Sequence, residues 1–111
     1  MNLENKKLYI VVREDLKDGL KMSQSLHAVI DFQLKYPEIV KEWREQSDII
    51  CSLVATKEEL NNLITKIKSK QEVYFVEFFE PDLNNELTAI AVGFGSSIKK
   101  LMFNLKPSFS N

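Results

Sequence analysis

The chain has 111 residues, 44% of them hydrophobic and 28% charged, with three glycines and three prolines, which suits a single domain over residues 1–111 and leaves no room for two. A chain of this size buries about 65% of the surface its unfolded form exposes, enough for one core without disulfides or metals. Sixteen acidic residues against fifteen basic ones give a net charge of -1, which excludes a generally basic nucleic-acid arm; any RNA contact has to come from a local patch. The lone cysteine, Cys51, excludes an intramolecular disulfide and a cysteine-rich zinc site, and fits a reducing cytoplasm. The first seven residues have no apolar core of leader-peptide length behind their charges, and no run approaches the ~20 apolar residues of a membrane span. The expectation is a soluble cytoplasmic protein with no membrane contact.

Leu8–Val12 is short, continuously apolar and rich in β-branched and aromatic residues, as in a strand buried on both faces. Arg13–Gly19 reads as a polar loop leaving it. From Met22 to Tyr36 the residues Met22, Leu26, Val29, Ile30 and Leu34 recur at helical spacing and predict the face that packs on the sheet. Pro37 opens a second helical segment, ending near Gln46–Asp48, with Ile39, Val40 and Trp43 on its buried side. At that spacing Trp43 reads as a core residue rather than a base-stacking one.

Ile49–Ala55 is the second buried strand. Thr56-Lys57-Glu58-Glu59 has capping-box form, and Leu60, Leu63, Ile64 and Ile67 follow at i, i+3, i+4 and i+7. Val73–Phe79 and Leu87–Val92 form two more strands, and the acidic connection Glu80–Glu86 is too short for a parallel crossover, so they pair antiparallel. Gly93–Ser97 ends the last strand, with Ser96 or Ser97 available to cap a final helix carrying Ile98, Leu101 and Met102. Residues Lys106–Asn111 read as a loose tail. The order predicts an α/β domain with helices on both faces of a four-stranded mixed sheet, its last strand antiparallel and its two helical crossovers making parallel pairings. In such sheets functional groups gather where strands end and helices begin, here the segments Arg13–Gln24 and Glu80–Thr88.

One histidine, one cysteine and no metal-ligand spacing exclude a Cys-His or zinc mechanism, and no nucleophile-elbow or Walker-type loop is present, so neither a metal nor a cofactor is expected. The Gly93–Ser97 turn reads as a helix entry in preference to a phosphate cradle. More informative is Gly19–Ala28, which puts Lys21, Gln24 and His27 at a helix start beside the end of the first strand, where the helix dipole favours an anion or a developing oxyanion. The residues alone leave two readings open: a functional cluster, or a core histidine beside a solvent-facing glutamine.

Here the sequence resembles the type II (archaeal and eukaryotic-type) peptidyl-tRNA hydrolases. Lys7–Leu16 is similar to that family's first strand and its Arg-x-Asp-Leu exit, through Arg13, Asp15 and Leu16. Gly19, Gln24, His27 and Ala28 match the pattern Gly-Lys-x-x-x-Gln-x-x-His-Ala, and Leu87–Gly93 resembles the closing strand, so the likeness spans about residues 6–105. A Tyr36-Pro37-Glu38 helix start, Trp43 and a Glu-Pro loop place it nearer a shorter branch of the family.

The resemblance implies a three-layer α/β/α fold, hydrolysis of the ester joining a peptide to the 3′ ribose of tRNA, and tRNA as partner. It also implies site residues. Gln24 and Thr88 carry over directly, and the family's loop carboxylate falls near Glu80, with Glu77 and Asp82 as alternatives. The water would be oriented or deprotonated by Glu80, Gln24 and a lysine would face the oxyanion, and His27 would support the site or touch the tRNA 3′ end. The family lysine after Gly19 is Leu20 here, with Lys21 one residue later, about 100° around a helix and so off the face shared with Gln24 unless the turn rearranges; Lys17 is a second substitute. Arg13, Asp15, Lys17, Lys99 and Lys100 are expected to meet the tRNA at the loop end of the sheet. Leu20 also keeps alive a non-catalytic RNA- or protein-binding module, and a third reading is hydrolysis of a related acyl ester. A homodimer through exposed parts of Phe32 or Phe94 would match the family's habit.

Overall fold

Alternation along the first strand organises the molecule. In the computed structural model, which describes residues 6–71 and 73–108, β1 (Lys7–Arg13) turns Leu8, Ile10 and Val12 into one hydrophobic cluster and Tyr9 and Val11 into another. The first cluster is closed by α1 (Asp18–Lys35) and α2 (Pro37–Gln46), through Ala28, Phe32 and Trp43. On the other face, α3 (Lys57–Lys68) and α4 (Ser96–Met102) close the second through Leu60, Leu63, Ile64, Ile67, Ile98 and Met102. Helices therefore cover both sides of one mixed sheet, as expected.

The sheet has five strands, in the order β3-β4-β1-β2-β5, and not the four expected. β2 (Ile49–Ala55) pairs parallel to β1, with Lys7 opposite Ile49 and Arg13 opposite Ala55. β4 (Glu86–Gly93) runs antiparallel to both β1 and β3 (Tyr74–Glu80). Only the first helical crossover makes a parallel pairing. The second carries the chain to the far edge, where β3 points the same way as β1 but is separated from it by β4. That insertion sets the bend between β3 and β4 at the end of the sheet where β1 finishes and α1 begins.

The fifth strand is the segment expected to be loose. Lys106–Pro107 (β5) pairs antiparallel with Leu53 and Val54, the Ser108 amide donates to the Ser52 carbonyl at 3.0 Å, and the two serine hydroxyls meet at 2.7 Å. Docking there covers what would otherwise be the free edge of β2, and Pro107 suits an outer strand because it has no amide to offer. Residues 109–111 lie outside the described residues.

Local chemistry explains most element bounds. Thr56 accepts from the Glu59 amide at 3.0 Å while the Glu59 carboxylate accepts from the Thr56 amide at 2.9 Å, so the capping box of α3 is complete. Pro37 occupies the first turn of α2, and the buried Trp43 indole donates to the Lys6 carbonyl at 2.9 Å. Neither Ser96 nor Ser97 caps α4: Gly95 stands at the N-cap, its carbonyl accepting the Ile98 amide at 3.1 Å. Phe94 holds φ at 91°, a conformation that costs a bulky residue about 1–3 kcal/mol. Its ring is fixed against Phe32, Trp43 and Tyr74 at 5.9–6.1 Å. Phe94 and Phe32 are thus 3% and 0% exposed, and neither offers the dimer surface anticipated for it.

The main departure is in α1. It begins at Asp18, four residues before the expected Met22, and is rotated from its expected face. Met22, Leu26, Ile30 and Leu34 are 49–75% exposed, while Gln24, Ser25, Ala28 and Phe32 meet the sheet. Small residues on both surfaces, Ala28 above and Ala89 and Ala91 below, permit close packing of helix on strand, and the Gln24 amide carried down with Ala28 finds partners there.

Candidate active site

Gln24 lies in the second turn of α1, 1% exposed, against the start of β4. Its Oε1 accepts from the Thr88 hydroxyl at 2.5 Å and its Nε2 donates to Glu80 Oε1 at 2.9 Å. The three groups come from α1, the end of β3 and the start of β4. Carboxylate chemistry fixes the amide orientation: an ionised Glu80 only accepts, so the NH2 must face it, and Thr88 then donates to the oxygen. Glu80 is half-exposed, and among the described residues its second oxygen has no protein donor. The chain Thr88–Gln24–Glu80 thus runs from a wholly buried hydroxyl to a carboxylate at the surface.

A β-bulge makes this meeting possible. The β3–β4 register pairs Phe78 with Ala89 but Phe79 with Leu87, so Thr88 is an extra residue on β4. Strict alternation from Ile90 and Val92, which face α3 and α4, would turn Thr88 the same way. Instead Leu87 packs on that side and Thr88 joins Ala89 on the α1 side, facing Gln24. The bend itself is closed by a 3₁₀ turn over Pro81–Leu83 and by Asn84 and Asn85, both left-handed at φ 55° and 58°, with the Asn85 amide on the Glu80 carbonyl at 2.9 Å. Asparagine tolerates that conformation better than most residues, and the Asn-Asn pair was a readable turn signal.

The other expected residues divide by position. Of the three acidic candidates, Glu80 touches Gln24, Glu77 points to the α3 side and pairs with Lys68 at 3.0 Å, and Asp82 stands exposed on the 3₁₀ turn. Lys21 is one turn before Gln24 at i, i+3, with its side chain only 13% exposed and its ammonium 3.7 Å from Asp18. It therefore shares the inward side of α1 with Gln24, against the expectation that one step along the helix would carry it off that face. Leu20 is half-buried, and Lys17, the residue before α1, is exposed. His27, one turn beyond Gln24, is exposed and stacks on Phe78 with centroids 4.7 Å apart and planes 16° from parallel. Lys99 and Lys100 lie on α4, with the sheet between them and Gln24, so the fold does not bring them to this surface.

Arg13 and Asp15 are joined to each other. Arg13 is 7% exposed; its Nη2 and Nε bind the Asp15 carboxylate at 2.7 and 3.0 Å, and its Nη1 reaches the Leu87 carbonyl at 3.3 Å and Glu86 at 3.4 Å. Lys57 holds Glu86 from the other side at 2.9 Å. The Arg13 hydrogen bond keeps the Asp15 carboxyl below the ordinary carboxylate range, and Asp15 raises Arg13 in return. Glu86 is lowered chiefly by Lys57. Among the described residues no three His, Cys, Asp or Glu side chains converge as a metal ion requires, and no helix is long and apolar enough to cross a membrane.

A three-layer α/β domain with a carboxylate held at the end of its parallel strands by a buried amide defines the class in general terms. The comparison with known families narrows it: the family described as peptidyl-tRNA hydrolase PTH2 matches residues 6–106, and the chain belongs to that family. No individually curated protein matches it.

Proposed function

We propose that this protein hydrolyses the ester between a peptide and the 3′ ribose of tRNA, in the cytoplasm and without a cofactor, releasing the peptide carboxylate and free tRNA. Family membership supports the reaction class, and the 2.9 Å contact between Gln24 and Glu80 is the observation that carries the assignment of residues. Glu80 is the catalytic residue: its outer oxygen accepts the proton of a water as that water attacks the ester carbonyl. Gln24 is too buried to meet the substrate in this arrangement. It acts through Glu80, and Thr88 fixes its amide, so both are positioning residues. Lys21 and the positive end of α1 face the developing oxyanion in place of a lysine at position 20. The tRNA acceptor would approach along α1, from Lys17 just before its start to the exposed His27 ring near its middle.

The experiment is cleavage of N-acetyl-aminoacyl-tRNA by the purified protein. Glu80→Gln should lower kcat by roughly 10²–10³-fold, Gln24→Ala by a smaller factor, and Lys21→Met should fall between them. Unchanged hydrolysis in both Glu80→Gln and Gln24→Ala would remove the site. Leu20, half-buried where the family pattern has lysine, favours a second reading: a binding module that has lost catalysis. In that case the wild type binds tRNA without cleaving it, and Leu20→Lys creates the activity.

A further inference from the structure

The β1–β4 ladder pairs Leu8 with Gly93 through Val12 with Ala89 and stops there, because the bulge at Thr88 takes the next residues of β4 out of step. The residue that continues the connection is Arg13, through its side chain. Its planar fork meets the Asp15 carboxylate with two nitrogens and directs the third to the Leu87 carbonyl and Glu86, one and two residues before Thr88. We infer that Arg13, locked by Asp15, is a positioning residue that holds the bulged start of β4 on β1 and so sets Thr88 and Glu80 against Gln24. It is not a phosphate contact. At 7% exposure, with its donors engaged by Asp15, Leu87 and Glu86, it has little to present to a nucleic acid. Lysine cannot replace it, since an ammonium lacks the fork that serves a carboxylate and a carbonyl together.

The inference rests on the hydrolase reading for its kinetic arm but not for its structural one. Arg13→Lys and Asp15→Asn are compared with wild type; the Asp15 side chain is 57% exposed, so the second variant keeps the fold even where the first does not. In peptidyl-tRNA cleavage well below the unfolding midpoint, kcat should fall about tenfold in each, KM should stay within twofold, and the salt dependence of KM should be that of wild type. A residue on a tRNA phosphate behaves otherwise: its loss raises KM and lowers the slope against log salt by about one, and that result would overturn the inference. Amide exchange supplies the independent arm. The amides of Leu87–Ala89 should exchange at least tenfold faster in both variants while those of Leu60–Ile67 do not change. If wild type cleaves no peptidyl-tRNA, the hydrolase reading fails while the exchange measurement still decides the brace; equal exchange in all three proteins rejects it.

Discussion

Helix α3 buries Leu60, Leu63, Ile64 and Ile67 and turns its charges to solvent, whereas α1, on the other face of the same sheet, buries Gln24 and Ser25 with Ala28 and Phe32 and leaves Met22, Leu26, Ile30 and Leu34 outside. Both helices gain from apolar contact. Only α1 also carries polar groups into the interior, where each costs desolvation unless it is paired, and Gln24 is paired at both ends of its amide. The difference separates a helix placed for stability from one whose placement is set by a site. Where a segment breaks the local rule and its buried amide is paired at both ends, function is the explanation to test first.

The largest effect that sharpens this contrast should come from α3. Leu60→Ala or Ile67→Ala, each at a residue 1% exposed, should cost about 3 kcal/mol and lower Tm by roughly 10–15 °C, read by thermal unfolding. Hydrolysis at low temperature should be spared in the fraction that remains folded. Gln24→Ala reverses the pattern, with about 1–2 kcal/mol lost through the unpaired Thr88 hydroxyl and Glu80 carboxylate, but a much larger loss of rate. Similar profiles for the two helices would erase the distinction.

A smaller effect isolates the start of α3. Thr56→Ala should cost about 1 kcal/mol. The accompanying pH dependence follows from Glu59, which the Thr56 backbone N–H and hydroxyl hold below the ordinary glutamate range. A lowered folded-state pKa means stability that is present above the unfolded value, near ~4.3, and is lost as the pH falls through the folded one. Denaturant midpoints between pH 6 and 3 should therefore decline less steeply in Glu59→Gln than in wild type.

Local signals made the strands β1 and β2 and the capped helix α3 legible, because their patterns lie within one element. The bounds of β2 coincide with the reading from sequence, and β1 and β3 differ by a residue at each end. What escaped depends on how elements meet. Apolar spacing along α1 identified a helix but not its rotation, which follows from Ala28 fitting over Ala89 and Ala91 and from the partners waiting for Gln24. The bulge at Thr88 reverses a face that alternation assigns, and nothing in Leu87-Thr88-Ala89 announces it. β5 is two residues long and contains a proline, too slight to read as a strand until β2 needs an edge partner. Gln24 stood out at the start of α1 from the residues themselves, Thr88 and Glu80 were reached through family resemblance, and the contact among the three came from topology.

The smallest expected effect is the most direct check on the rotation of α1. Leucine and glutamine have similar helix propensities, so Leu34→Gln, at a residue 75% exposed, and Leu26→Gln, at 52%, should each change stability by less than about 0.5 kcal/mol in chemical denaturation. If the side of α1 predicted from spacing were the one against the sheet, each would bury an unpaired amide and cost several times more. Ala28→Leu supplies the opposite arm: Ala28 is fully buried in the cluster that contains Ala89 and Ala91, so added methyl groups there should cost about 1–3 kcal/mol. The pair of results, near zero outside and a clear loss inside, identifies which face of the helix the sheet holds.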